Sequence, residues 1–396
     1  MAERLWDAER VKPVPFSSIR VVMQEAERLA AQGRKVFHME IGRPDFDTPP
    51  HIKQAAIKAL NEGMVHYGAS LGLPQLTAAI ADKLRRENGV SVDPSGGVLV
   101  GAGVKYIVYC VMQALVNPGE EVLLPDPCWL DYFACVRLAG GVPVAVPLRE
   151  ENGFQLDPDE VERLITPKTR ILVVITPHNP TGTVASKEVL RQLTEVAQRR
   201  DILVLSDEIY EKIIYDGAVH HSLASFPGMA ERTITVNGFS KAYAMDGWRL
   251  GYAAASKALI QPILKVHMSA MSCPNTFIQM GAVAAYQGPQ DSVGRMVAEF
   301  DRRRKMMLSA MADMPGVKVA RPEGAFYLFP NLKAFGMTSM EMAAYLMREA
   351  GIASVPGSAF GEWGEGHVRL AYSDTYENLA AGMASLKDAL AKLPRQ

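Results

Sequence analysis

The feature that most constrains the fold is a series of seven short apolar runs in the middle of the chain. They are rich in β-branched residues, and most are followed by a segment long enough for a helix, such as SKEVLRQLTEVAQRR at 186–200. The runs span residues 97–103, 121–127, 142–148, 170–177, 202–208, 233–240 and 249–255. This alternation predicts an α/β fold with a largely parallel sheet covered by helices on both faces. Little separates the last two runs, so an antiparallel pairing between them is the alternative there.

The two ends of the chain have a different pattern, which predicts a second domain. Residues 17–33 are expected to form a helix, and 292–314 a long one, with a few strand candidates such as AFYLFP and HVRLAYS. A chain of 396 residues is long enough for two or three domains. We predict a large cofactor-binding domain at 49–288 with a seven-stranded sheet. A smaller α+β domain with an N-terminal arm is predicted from residues 1–48 and 289–396.

Charge and cysteine content exclude several classes of protein. The formal net charge is −1 and no block of like charges occurs, so binding to nucleic acid or to a membrane surface is not expected. The apolar stretch at 98–116 contains Lys105 and Gln113, which favours a strand and a buried helix over a membrane span. The four cysteines lack C-x-x-C spacing and the first ten residues lack an apolar signal core. These features predict reduced thiols, no metal site and a cytoplasmic protein.

Polar and aromatic residues follow the ends of the apolar runs, where open parallel sheets bind ligands. These residues are Gly103, Val104, Lys105, Trp129, Asn179, Asp207, Tyr210, Ser240 and Lys241. Each has a plainer explanation when it is taken singly: Trp129 as core, HNPTG as a turn, Asp207 as a helix cap. GAG at 101–103 begins like a dinucleotide fingerprint, but Tyr106 replaces the third glycine.

Taken together, these residues match the needs of pyridoxal phosphate. That cofactor needs a lysine to bond covalently, a carboxylate beside its pyridine nitrogen and a donor to its phenolate oxygen. It also needs an aromatic side chain against the ring and a cationic, amide-rich cradle for the phosphate.

Six motifs extend this pattern over nearly the whole chain. GRPDFDTP, YGASLGLPQLTAAI, NPTG, SDEIY, SKAYAMDGWRLGY and VRLAYS occur in this order. In order and spacing the chain resembles the class I aminotransferases, of the pyridoxal-phosphate fold type that aspartate aminotransferase exemplifies. Single short motifs such as NPTG are weak signals, but six in order are a strong one.

The resemblance implies a role for each matching residue in holding the cofactor. Lys241 would be the Schiff-base lysine and proton shuttle, Asp207 the partner of the pyridinium, and Trp129 the stacking ring. Asn179 and Tyr210 would contact the phenolate oxygen. The phosphate cradle would comprise Gly103, Val104, Lys105, Ser240 and Arg249.

The resemblance also implies a substrate site and a dimer. Arg369 would bind the substrate α-carboxylate, with Asn179 and the Gly42 backbone. Tyr67 would reach the phosphate of the other subunit, which makes the protein a homodimer with composite active sites. Loops at 14–20, 128–132 and, across the dimer, 268–276 would border the substrate side chain. Arg20 and Arg43 are candidates for binding a distal carboxylate by position only.

The sequence departs from the family pattern in three places. Gly238 occupies the position of the usual phosphate-binding serine, so Ser240 has to serve. Asp246 stands where threonine or proline is usual, and a carboxylate there would repel a phosphate unless it faces away. PDPCWLDY is a less common form of the aromatic loop.

The expected activity is ping-pong transfer of an amino group between an L-amino acid and a 2-oxo acid. One alternative is another pyridoxal-phosphate reaction on the same scaffold, such as C–S β-elimination or cyclopropane formation. Another is a non-enzymatic ligand sensor. Such sensors usually carry a basic DNA-binding segment, for which the sequence before PFSSIR leaves no room.

Overall fold

The structure is a computed structural model that describes residues 6–16 and 18–395. Its central element is a seven-stranded sheet with strand order β2-β8-β7-β6-β5-β3-β4. The twelve strands found in the described residues are β1 Phe37–His38, β2 Val98–Gly101, β3 Glu121–Asp126, β4 Val142–Pro147, β5 Thr169–Ile175, β6 Leu203–Asp207, β7 Thr233–Gly238, β8 Gly251–Ala254, β9 Tyr327–Leu328, β10 Ile352–Ala353, β11 Val355–Pro356 and β12 Val368–Ala371.

The sheet is mostly parallel, and its single antiparallel strand lies where the sequence allowed one. β3, β4, β5, β6 and β7 pair in parallel, whereas β8 runs antiparallel to both β7 and β2. β2 therefore runs in the same direction as β7. As a result, the carboxyl ends of β2, β3, β5, β6 and β7 meet the amino end of β8 at one edge of the sheet.

Helices cover both faces of this sheet. The helices in the described part of the chain are α1 Ser18–Ala31, α2 Pro50–Asn61, α3 Pro74–Lys83, α4 Val104–Leu115, α5 Asp131–Leu138, α6 Pro158–Leu164, α7 Lys187–Arg200, α8 Lys257–Ala270, α9 Thr276–Gln287, α10 Asp291–Ala312, α11 Ser339–Ala350 and α12 Tyr376–Leu390.

Burial on both faces explains why the strand sequences are continuous apolar runs rather than alternating ones. In β5, Ile171 and Val173 belong to the cluster that α4, α5 and α8 complete. Their neighbours Leu172 and Val174 belong to the cluster on the other face, with Leu190 and other residues of α7.

Smaller sheets are formed by residues from both ends of the chain. β1 pairs in parallel with β10, and β12 pairs antiparallel with β11 and β9. A third apolar cluster joins these strands to α10, α11 and α12, and it includes Ile209, Tyr210 and Ile213 from the segment after β6. The rim of the large sheet thereby packs directly against the C-terminal part of the chain.

The predicted fold class is confirmed, including the seven strands and the smaller α+β part. The stretch at 98–116 forms β2 and α4, as expected. The helix expected at 17–33 is α1, although residue 17 lies outside the described residues. The domain limits at 48/49 and 288/289 stay a prediction.

Among the described residues, we find no helix with both the length and the apolar character that a membrane crossing needs.

Candidate active site

A cavity of about 290 Å³ opens at the edge where the strand ends meet. Eleven of the thirteen residues singled out in the sequence line it, namely Gly42, Val104, Lys105, Trp129, Asn179, Asp207, Tyr210, Ser240, Lys241, Arg249 and Arg369. They come together because each lies at or after the end of a strand of the large sheet, shortly before the antiparallel β8, on β12 or after β1. Their convergence is therefore a consequence of strand direction.

Lys241 follows the end of β7 and lies at the centre of this set. Its Nζ donates a 2.5 Å hydrogen bond to the backbone oxygen of Gly42 and lies 5.7 Å from the centre of the Tyr210 ring. Burial lowers the pKa of Lys241 to about 8, although the carboxylate of Asp246 acts in the opposite direction. A lysine of this kind is partly unprotonated near neutral pH and can act as a nucleophile or base.

Asp207 is the last residue of β6, and its carboxylate is buried. Its Oδ2 accepts a 2.7 Å hydrogen bond from the Tyr132 hydroxyl and its Oδ1 accepts one from the Ile209 amide. Burial raises the pKa of Asp207 to about 6, while the Tyr132 hydrogen bond opposes that rise. The residues after Asp207 form a turn and not a helix, so the helix-cap alternative is wrong.

Arg369 on β12 is a buried cation at the other side of the cavity. Its Nη1 donates to the Asn179 side-chain oxygen at 3.1 Å and its Nη2 to the Glu40 backbone oxygen at 2.6 Å. Its Nε has no hydrogen-bond partner in the described residues. An unpaired donor on a buried guanidinium is costly unless a ligand completes it.

Gly42 lies close to the aromatic wall of the cavity. A Cβ at this position would overlap the hydroxyl of Tyr327, which itself shares a 2.7 Å hydrogen bond with the Tyr210 hydroxyl. Residue 42 must therefore be glycine for its backbone to lie this close to both Tyr327 and Lys241.

The amino end of α4 forms a cationic recess. Gly103 precedes the helix with φ of +87°, and a Cβ there would lie 2.7 Å from Nη2 of Arg249. Arg249 lies two residues before β8, and β8 runs antiparallel to β7. Arg249 therefore lies at the same edge of the sheet as Lys241, which follows β7. Backbone N–H groups at a helix start together with a guanidinium form a ready anion site.

The departure at Gly238 has a steric reason. A Cβ at this position would lie 2.9 Å from the Gly251 Cα and 3.0 Å from the Leu250 oxygen. The close pairing of β7 with β8 leaves no room for a side chain at 238. Ser240, which lines the cavity, is the hydroxyl that remains available.

Trp129 and Lys105 form a partly exposed wall. The Lys105 ammonium lies 5.6 Å from the centre of the Trp129 ring and forms a 2.8 Å ion pair with Asp131. Trp129 meets Tyr132 edge to face, with ring centres 5.7 Å apart. Trp129 thus belongs to the cavity and not to the closed core, contrary to the plainer alternative.

Asp246 also lines the cavity. Its charge favours the protonated form of Lys241, so the pKa of Lys241 is lowered less than burial alone would lower it. Its backbone oxygen accepts a 2.6 Å hydrogen bond from Nη1 of Arg249.

Some predicted residues lie elsewhere. Tyr67 is 92% exposed and adjoins a separate surface recess with Cys273 and Asn275. Gly103 itself is not part of the cavity wall, although it borders Arg249. Arg20 and Arg43 are exposed residues outside the wall. Of the loop at 14–20, Ile19 reaches the cavity.

Sequence reasoning missed Tyr132 and Tyr327. Tyr132 lies three residues after Trp129 at the start of α5, so helical spacing was a usable signal for it. Tyr327 lies in a two-residue strand, where the sequence carries no comparable signal.

The donor set fits pyridoxal phosphate. Four features meet at one cavity: the buried carboxylate of Asp207, the amine of Lys241 with its lowered pKa, the guanidinium of Arg369 with an unpaired Nε, and the recess at the start of α4. These are the groups that such a cofactor and an α-carboxylate require. The fold and site thus define a pyridoxal-phosphate enzyme of the fold type in which a large parallel sheet carries the lysine.

Comparison with known proteins supports the assignment to pyridoxal-phosphate enzymes. The family model described as aminotransferase class I and II matches residues 34–386. Aspartate aminotransferase of Pyrococcus abyssi is 45% identical over 97% of this chain and 98% of that protein. Aromatic-amino-acid aminotransferase 2 of Thermococcus litoralis is 40% identical, with 97% and 98% covered. The structure of Thermus thermophilus aspartate aminotransferase with maleate superposes with a TM-score of 0.93 at 38% identity, over 98% of this chain and all of that one.

The chain belongs to the class I and II aminotransferase family. It is a pyridoxal-phosphate-dependent enzyme that moves an amino group between an amino acid and a 2-oxo acid, and the predictions of cofactor and reaction are confirmed.

Proposed function

We propose that the cavity is the catalytic centre, with Lys241 as the residue that bonds the cofactor. One observation carries this proposal: Lys241 and Asp207 line the same cavity with pKa values displaced towards each other, to about 8 and about 6. An amine that is easily deprotonated and a buried carboxylate are the two groups that the reaction needs most.

The other cavity residues would hold the cofactor. Asp207 would face the pyridine nitrogen and Trp129 the ring, with Asn179 and Tyr210 at the phenolate oxygen. The phosphate would lie in the recess at α4, formed by Gly103, Val104, Lys105, Ser240 and Arg249. When bound, pyridoxal phosphate supplies a carbonyl carbon for the amine and a ring that accepts the electron pair left on the substrate α-carbon.

Lys241 would move the proton. A pKa of about 8 leaves roughly a tenth of the amine unprotonated at pH 7, far more than for an ordinary lysine. The free amine can take the proton from the α-carbon and return it as a general acid. The hydrogen bond to the Gly42 oxygen holds Nζ within the cavity for this transfer.

Arg369 would bind the α-carboxylate. Its planar guanidinium is anchored on both Nη atoms by Asn179 and by the Glu40 backbone, so its orientation is fixed before substrate arrives. A two-pronged contact aligns the bond to be broken, which contributes to rate as well as affinity.

For the substrate side chain we propose two acceptable types, acidic and aromatic. Lys105, in the first turn of α4, would give only its backbone N–H to the phosphate recess. Its side-chain ammonium is then the one cationic group of the cavity wall, in the described part of the chain, not assigned to cofactor, proton transfer or α-carboxylate. Its ammonium could bind a distal carboxylate, whereas Ile19 and Trp129 offer apolar surface for a ring. Relatives named for aspartate and for aromatic amino acids support both.

We further propose a homodimer in the cytoplasm. Tyr67, at 92% exposure, borders the same surface recess as the exposed side chain of Val65, which is a surface that a second copy could cover. On this proposal Tyr67 serves the partner's phosphate site. All four cysteines are free thiols, as expected in a reducing compartment.

The proposal is tested by a half-reaction screen. Holoenzyme is mixed with one amino acid at a time, without an oxo acid, and loss of the visible cofactor band is followed. We expect conversion with both aspartate and phenylalanine, and none for Lys241→Ala. Lys105→Met should lose aspartate and keep phenylalanine. Release of ammonia and pyruvate without an acceptor would indicate a lyase instead.

A further inference from the structure

A buried polar cluster lies behind the turn that carries two of the cavity residues. We define it as Lys83, Asn88, Glu208, Glu211 and His220. Asp207 and Tyr210 face the cavity, whereas Glu208 and Glu211, the next residue after each, belong to the cluster. The same five-residue turn thus presents two side chains to the active site and two to the cluster.

Glu208 is fully buried, and both of its carboxylate oxygens have polar partners. Its Oε1 accepts hydrogen bonds from the hydroxyls of Ser206 and Ser222 at 2.9 and 2.8 Å. Its Oε2 lies 3.1 Å from Nε2 of His220 and 3.5 Å from the Asn88 amide. A carboxylate with this many donors is held in one orientation.

Glu211 is bound from the opposite side by α3. Its Oε1 forms a close ion pair with the Lys83 ammonium, whose side chain is 1% exposed. Its Oε2 accepts a 2.7 Å hydrogen bond from Asn88, and Asn88 in turn accepts one of 2.7 Å from Lys83. The pKa of Glu211 is held at about 2: burial opposes this, but the charges of Lys83 and His220 outweigh it.

The charges of the cluster balance only if His220 is protonated. Of the cluster's two carboxylates, Glu211 pairs with the Lys83 ammonium and Glu208 with the imidazole of His220. Burial lowers the pKa of His220, but the hydrogen bond and charge of Glu208 and the charge of Glu211 raise it overall. Its Nδ1 has no partner in the described residues, and its Nε2 lies 3.1 Å from the Glu208 carboxylate.

We propose that this cluster is a positioning element of the active site. Glu208 and Glu211 anchor the turn that carries Asp207 and Tyr210, and His220 supplies the second positive charge that keeps the cluster neutral. The proposal rests on the proposed role of Asp207 as the anionic partner of the cofactor. His220 acts through Glu208 and touches neither cofactor nor substrate.

The physical consequence concerns the charge of Asp207. The neighbouring charge of Glu208 already favours protonation of Asp207. With a neutral residue at 220 the cluster would carry one uncompensated negative charge in a buried place, where charges are weakly screened. Asp207 would then bind its proton more tightly, and less of it would be ionised near neutral pH.

The groups that face His220 are few. Glu208 and Glu211 come from the turn after β6 and Lys83 from α3, and His221 adjoins it in the chain. Beyond Lys83, Glu87 lies 3.8 Å from that ammonium and 2.7 Å from Lys212.

The test compares His220→Gln with His221→Gln, a matched control whose imidazole makes no contact with Glu208 or Glu211. The affinity of each apoprotein for pyridoxal phosphate is measured against pH. Because ionised Asp207 favours the cofactor, affinity should fall below the pKa of Asp207. We expect His220→Gln to move this fall upward by about half a pH unit, a threefold change in proton affinity. The control should overlay wild type.

A charge-balancing variant separates electrostatics from simple packing. Glu208→Gln in the His220→Gln background removes the uncompensated charge, and the serine hydroxyls can rotate to accept from the new amide. The pH dependence should return to that of wild type. Overlay of His220→Gln with wild type, or no return in the double variant, would overturn the proposal.

Should His220→Gln fail to fold, the wild-type protein still gives an answer. NMR titration with labelled histidine should show one imidazole with a pKa above the ordinary value, and eight imidazoles with ordinary or lowered pKa values would overturn the proposal. If Lys241→Ala still transaminates, the proposed function itself fails, which is a different result.

Discussion

The hydroxyl of Tyr132 donates a 2.7 Å hydrogen bond to Oδ2 of Asp207, between two side chains that are both buried and lie 75 positions apart in the chain. The phenol donates its proton to a carboxylate oxygen, and such a hydrogen bond is stronger when the carboxylate is ionised. The contact therefore favours the ionised form of Asp207. It partly offsets the burial that raises the pKa of Asp207 to about 6.

Removing this donor should slow the half-reaction without unfolding the protein. Hydrogen bonds to charged groups contribute about 1.5–3 kcal/mol, so Tyr132→Phe should lose roughly ten- to a hundredfold in rate. The loss should be larger at pH 6 than at pH 8, because Asp207 is then more often protonated. Stopped-flow half-reactions at both pH values measure it, with Tyr109→Phe on α4 as control. Equal rates for Tyr132→Phe and wild type at pH 6 would contradict the role of the hydrogen bond.

Asp207→Asn should abolish most activity while the protein remains folded. Loss of one partner of a buried charge pair costs about 3–5 kcal/mol, which is on the order of a hundred- to several-thousandfold in rate. The variant should still bind the cofactor through Lys241. Asp201→Asn, at the exposed end of α7, is the matched control. A rate within about threefold of wild type would refute the cofactor role of Asp207.

The same substitution should stabilise the apoprotein near neutral pH. The pKa of Asp207 is about 6 in the folded state against about 3.9 in an unfolded chain. The folded state therefore binds more protons between these values, and stability is lost as pH rises through them, by up to about 3 kcal/mol. At pH 7.5 the thermal unfolding midpoint of the Asp207→Asn apoprotein should be higher than that of the wild-type apoprotein. At pH 4 the two midpoints should be similar. A lower unfolding midpoint for the variant at pH 7.5 would show that the ionised Asp207 carboxylate does not destabilise the folded apoprotein.

Tyr67 tests the composite site. If Tyr67 contacts the phosphate of the partner subunit, a Tyr67→Ala chain and a Lys241→Ala chain should complement each other, because hybrid dimers contain one intact site. Mixed and refolded chains should regain activity that neither has alone, provided that Tyr67→Ala is first shown to be weak. Tyr376→Ala replaces a tyrosine on α12 and should give no complementation. An active monomer at low protein concentration would contradict the proposal.

Most of the sheet could be predicted from the sequence because both of its faces are buried. Runs such as RILVVITP carry a strong signal, and β5 ends within two residues of its predicted limit. The strands β1, β10 and β11 have two residues each and were not predicted, since they depend on pairing between distant segments. Strand direction then brought the site together, which is why Asp207 and Lys241 could be predicted to meet, whereas Arg249 was placed there only by the family resemblance.

The remaining site features depend on tertiary contacts that leave no local pattern. Tyr132 lies at the start of α5, which packs against α4, β3 and β4, and its hydroxyl reaches Asp207 at the end of β6 only in the folded chain. The steric need for glycine at 238 arises from Gly251, thirteen positions further along the chain. Lys83 and Glu211 form an ion pair although they are 128 positions apart in the chain. No local sequence pattern predicted this pair.

The account depends most directly on Lys241. Purified holoenzyme is reduced with borohydride, digested and mapped, with Lys105, the other lysine of the cavity wall, as the internal comparison. We predict a yellow protein, a single cofactor-labelled peptide that contains Lys241, and no label in Lys241→Ala. A label on Lys105 or any other lysine, or a protein that stays colourless with added pyridoxal phosphate, would contradict the account.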